Sequence, residues 1–190
     1  DSKSIWAERL RSIQTRILMN RSESVEEEVN RAARARDTPA LETIARVVPY
    51  QVPAAIRSAL RRGLEAESLP PSATTPNAIS LQWAAEILES GYSATTGDSS
   101  YRRLLDFYRR LTPPQRNIKR NLDSRFQKLV DLQRKGKLGE ALEQSAGLTG
   151  DFEKLEDYWQ LVNIHHLRGN CFYYGAADFA NATGEYRKML

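Results

Sequence analysis

The chain has a single cysteine, Cys171, so no disulfide can form within it. A reducing compartment is the natural setting, and the chain reads as intracellular, cytoplasmic or nuclear. It has no apolar run near the roughly 20 residues that span a bilayer. Its opening, Asp1 to Ser12, carries charge where a signal peptide would be apolar. Strand signals are scarce: no stretch alternates apolar and polar residues between Asn-Gly or Asp-Gly turns. There are only two histidines, His165 and His166, and they are adjacent. Neighbours in a helix point about 100° apart, so the pair does not share a metal ion. Phosphate-cradling glycine loops and a Gly-x-Ser-x-Gly elbow are missing as well. Together these absences argue against an enzyme and imply no cofactor and no metal.

What is present is helical punctuation in an all-α chain. The 190 residues are 41% hydrophobic and 27% charged, ordinary values for a folded domain. Ile5 to Met19 reads as a first helix, with Trp6, Leu10, Ile13 and Ile17 on one stripe. Ser24 and Glu27 form a capping box for a second helix. Thr38-Pro39 predicts a third, with Thr38 as N-cap. Ala54 to Glu67 predicts a fourth. Leu69 to Pro76 is rich in proline, serine and threonine and reads as a linker. The predicted organisation is an N-terminal helical subdomain at 1–69, a linker at 70–76 and helical repeats at 77–190. After the linker, Asn77–Ser90 carries Ile79, Trp83, Ile87 and Leu88 in register, with Gly91 as its stop. Ser93–Ser100 reads as a loop. Tyr101–Leu111 is predicted to face Tyr101, Leu104, Leu105, Tyr108 and Leu111 inward. Thr112-Pro113-Pro114-Gln115 then caps a long helix reaching about Lys135, striped by Ile118, Leu122, Phe126, Leu129 and Leu132.

Two late segments share a pattern. Gly136, Leu138 and Ala141 recur 41 residues later as Ala177, Phe179 and Ala182. A small residue allows a tight turn between helices, a bulky one packs on the facing helix, and alanine permits close approach. This pattern resembles the second helix of a tetratricopeptide repeat, and Tyr173 stands where that family has an aromatic in its first helix. The resemblance covers Tyr101–Leu190. The spacing departs from the roughly 34-residue family repeat, and Gly169-Asn170 replaces the family's Leu-Gly. The resemblance implies antiparallel helix pairs stacked as a solenoid, with a concave surface for a partner. The N-terminal helices belong either to the same stack or to a separate bundle. An Asp start and a last repeat without a capping helix read as a fragment or arm of a larger protein.

Charge is the most uneven feature. Twelve basic residues lie between Arg102 and Lys137, opposed by Asp106, Asp123 and Asp131 only. From Leu138 to Asn163 the sign reverses, with Glu140, Glu143, Asp151, Glu153, Glu156 and Asp157 against Lys154. Compensation between neighbouring helices is one reading of these blocks. The other is a basic face, Arg102, Arg103, Arg109, Arg110, Arg116, Lys119 and Arg120, that attracts an acidic protein segment. Glu140/Glu143 and Glu153/Glu156/Asp157 read as solvated helix faces, and Cys171 as a buried small hydrophobe. The basic stretch lacks aromatic interleaving on its basic face, which single-strand binding favours, and it has no helix-turn-helix signature. The expected function is therefore a protein-interaction scaffold or adaptor. A basic nucleic-acid-associated protein and a regulatory domain of a multidomain enzyme are the alternatives.

Overall fold

The structure is a computed structural model that describes residues 22–68 and 76–190. The helix expected at Ile5–Met19 and most of the expected linker lie outside the described residues. All regular structure among the described residues is helical. The chain divides into two compact units, one ending at Arg110 and the other spanning Leu111–Leu190.

The first unit contains α1 (Ser22–Ala35), α2 (Thr38–Val47), a short 3-10 turn (Pro49–Gln51), α3 (Val52–Ala66), α4 (Ala78–Thr96) and α5 (Ser100–Arg110). In α1, Val25, Val29, Ala32 and Ala33 are buried, the spacing that puts four side chains on one helical face. The cap of α2 is Asp37 and not Thr38: its carboxylate accepts the Ala40 N–H at 3.1 Å, and Thr38-Pro39 is already inside the helix. A carboxylate at the N-terminus also complements the helix dipole, which a hydroxyl does less well. α4 packs against α2 and α3. The boundary between units therefore falls at Arg110/Leu111, and the helix after 70–76 belongs with those before it.

Gly91 does not end α4. The helix continues to Thr96 and stops at Gly97, whose φ of 77° is left-handed. A Cβ on Gly91 would lie 2.7 Å from the Ala45 Cβ, so this glycine serves close packing on α2. The buried stripe of α4 is also rotated from the expected one. Leu81, Ala84, Ala85 and Leu88 are buried, while Ile79 is 71% exposed. Small side chains let α2 and α3 approach closely, and that contact sets the helix rotation. In α5 the inward set is Tyr101, Leu104, Leu105 and Phe107, so Phe107 replaces Tyr108.

The second unit contains α6 (Pro113–Arg134), α7 (Leu138–Leu155), α8 (Tyr158–Asn170), a π-helical turn (Cys171–Ala176) and α9 (Phe179–Arg187). The Gln115 side chain accepts the Thr112 N–H at 3.0 Å, as a capping box requires. Of the expected α6 stripe, Leu122 and Leu129 are buried and Ile118 is exposed. Each helix packs on its neighbour in sequence, α6 on α7, α7 on α8 and α8 on α9. One local turn occurs three times among the described residues. Arg36, Glu156 and Ala177 adopt φ of 53°, 59° and 51°. The aspartate after each, Asp37, Asp157 or Asp178, accepts the N–H three residues on at 3.1, 3.1 or 3.0 Å. The left-handed residue reverses the chain and the aspartate starts the next helix.

Candidate interaction surface

The expected basic residues divide between the units. Arg102, Arg103, Arg109 and Arg110 are exposed on α5, whose Leu104, Leu105 and Phe107 are buried. Arg102 Nε lies 3.6 Å from Glu89, which is itself buried. Arg109 pairs with Glu86 at 3.0 Å and Asp106 at 3.1 Å. Arg110 lies over the Phe107 ring. Arg116, Lys119 and Arg120 sit on α6 in the second unit. There Arg116 Nε donates to the Leu111 carbonyl at 3.0 Å, and Arg120 bonds Asn117 on the same helix.

Lys119 does not belong to any exposed face. It is 1% exposed and its ammonium bridges Asp123 and Asp157, the latter at 2.9 Å. Gln160 Nε2 also donates to Asp123 at 2.9 Å. Asp157, expected on a solvated face, is buried at the α7–α8 turn. Burial pushes its carboxyl up, and the neighbouring Lys119 ammonium opposes that shift. A buried ammonium needs carboxylate partners, and this one ties α6 to the start of α8. Arg125 pairs with Asp151 of α7 at 2.9 Å. Here the basic and acidic blocks do compensate each other between helices.

A second buried carboxylate, Glu185 of α9, accepts from His165 Nδ1 at 2.7 Å. Arg168 Nε at 3.3 Å and Lys188 Nζ at 3.2 Å complete its partners. Arg168 also donates to Ser145 Oγ of α7 at 2.9 Å. Burial alone would raise the Glu185 carboxyl; the His165 hydrogen bond and the two cations outweigh it and hold the group below its ordinary value. Cys171 is buried, and burial pushes its thiol up. Among the described residues no group of three His, Cys, Asp or Glu could hold a metal ion. No described helix is long and apolar enough to cross a membrane.

A further surface feature lies at the π-helical turn. Tyr173, Tyr174 and Phe179 are 46%, 73% and 59% exposed. Their rings meet edge to face, Tyr173–Tyr174 at 4.8 Å and Tyr173–Phe179 at 5.2 Å between centroids. Gly175 in the same turn abuts Leu138, since a Cβ there would lie 2.8 Å from the Leu138 Cβ. That contact sets the aromatic turn beside the α6–α7 loop, where Arg134, Lys135 and Lys137 are exposed. The sequence treated Tyr173 and Phe179 as packing residues and did not join them to residues 134–137, because the segments are about 40 positions apart. The available signal was Tyr173-Tyr174-Gly175 itself, since adjacent aromatics on a helix cannot both turn inward.

No protein-family model, curated protein or solved structure matches the chain.

Proposed function

We propose that the protein is a protein-interaction scaffold or adaptor module of tetratricopeptide-like helix pairs that binds a partner peptide or helix. It acts inside the cell, in cytoplasm or nucleus, and its role is binding and not catalysis. The observation that carries this reading is the outer face of α5, where four exposed arginines line an 11-residue helix. Glu86, Glu89 and Asp106 neutralise part of that charge, and all four arginines remain exposed. Such a face suits an acidic segment of a partner, with the charges acting mainly on encounter rate and orientation. The repeated left-handed turn followed by an aspartate cap supports a series of stacked hairpins. In the second unit each α-helix also packs on its neighbour in sequence, as in a repeat array.

The test places a photo-crosslinking residue at Arg103 and identifies what it captures in source cells. An acidic protein segment, lost when salt is raised, is the expected product. Equal capture from position 154, on a different helix, would remove the case for a docking face on α5.

A further inference from the structure

We infer that the aromatic turn and the α6–α7 loop together form a binding site for single-stranded nucleic acid. This site lies within the second unit and does not depend on the protein-partner reading of α5. The linear sequence argued against such binding because its basic face has no aromatics interleaved with the charges. The fold supplies them from elsewhere in the chain. Tyr173 is the central ring, and Tyr174 and Phe179 each meet it in an edge-to-face contact. The outer two rings are the most exposed of the three. Each offers surface on which a base can stack, and stacking tolerates any base because all have a π-face.

The charges are adjacent. Leu138 touches the turn at Gly175, and Lys137, Lys135 and Arg134 precede it in the loop. Lys128 lies about two turns further back on α6 and is also exposed. The nearby carboxylates are accounted for. Glu140 pairs with Lys137 at 2.9 Å and Asp131 lies 3.8 Å from Arg134. Asp178 is engaged in capping α9 through Asn181. Lys135, three residues before Leu138, thus supplies positive charge on the loop that leads to the aromatic turn, with Lys128 further back on α6. Cations for phosphates and ring faces for bases are the two elements that single-strand binding combines. An acidic peptide would use the lysines but leave the exposed rings without a role, and a duplex would hide its base faces.

The experiment is fluorescence anisotropy of a labelled, mixed-sequence RNA single strand of about 12 nucleotides with the full chain. Saturable binding at low salt is expected, weakening as salt rises. Tyr174→Ala and Phe179→Ala should each weaken it about tenfold, whereas Tyr174→Phe retains affinity because the ring is kept. Lys135→Glu should weaken binding and make the salt dependence shallower. Both rings are exposed, and circular dichroism verifies that the variants keep their helicity. No binding at low salt overturns the inference. So does binding that Tyr174→Ala leaves unchanged, or displacement by polyglutamate as readily as by unlabelled strand, since either means charge alone is read. Crosslinking from Arg103 is unaffected by Tyr174→Ala, so failure here is distinguishable from failure of the protein-partner reading.

Discussion

Lys119 shows how one residue changes meaning between sequence and structure. In the sequence it is one of twelve cations in a basic run. In the fold it is a buried ammonium between Asp123 and Asp157. Nothing local distinguishes it from Arg120, because the deciding partner lies 38 positions on, at the α7–α8 turn. Removing one member of such a pair leaves the other charge buried and uncompensated. Lys119→Met should therefore cost about 3–5 kcal/mol, read as a lowered denaturation midpoint in urea. Arg120→Met, on the surface of the same helix, should change stability by less than about 0.5 kcal/mol. Glu185 gives a pH signature. Its folded carboxyl lies below the ordinary 4.5, so its contribution is fully present above that value. It is lost as pH falls through the folded value. Glu185→Gln should be less stable at neutral pH and show a smaller loss on acidification below pH 4.5. Asp157 has the opposite sign. Its raised carboxyl binds protons more readily in the folded state, so its contribution declines as pH rises above 3.8.

At the scale of elements, helix identity was legible and helix boundaries and rotations were not. Caps and prolines marked the start of α6 correctly, because Thr112, Pro113 and Gln115 act locally. Gly91 was misleading because its role is tertiary. It admits Ala45 of α2, a contact that no window on α4 reveals. Gly91→Ala should thus destabilise the first unit by roughly 1–3 kcal/mol, by overpacking against a short side chain with no room to move. Calorimetry on the variant would detect it. The left-handed turns invite the opposite change. Glu156 has no glycine freedom at φ 59°. Glu156→Gly relieves about 1–2 kcal/mol of steric cost, partly offset by a more flexible unfolded chain. A net gain of about 0.5 kcal/mol is expected, measurable by urea denaturation.

For the whole molecule, the all-helical class followed from apolar stripes and caps read end to end. The division of the chain did not. A proline-rich stretch looks like a boundary, but α4 returns to pack on α2 and α3 and the units part at Arg110/Leu111. That division also separates the expected basic face, with four arginines on α5 and Arg116, Lys119 and Arg120 on α6. Charge could be counted in the sequence, while its burial and pairing depend on long-range contacts. The aromatic turn was hidden for the same reason, since Gly175 meets Leu138 only in the fold. The most direct measurement for the binding proposal is the affinity of the partner captured at Arg103 for the intact chain and for the Arg103→Glu/Arg110→Glu variant. It should be made at low salt and at about 150 mM. A docking face on α5 predicts tenfold or greater weakening by the double reversal, of order 1.4 kcal/mol, with the difference shrinking at higher salt. Equal affinities at both salt concentrations would contradict it.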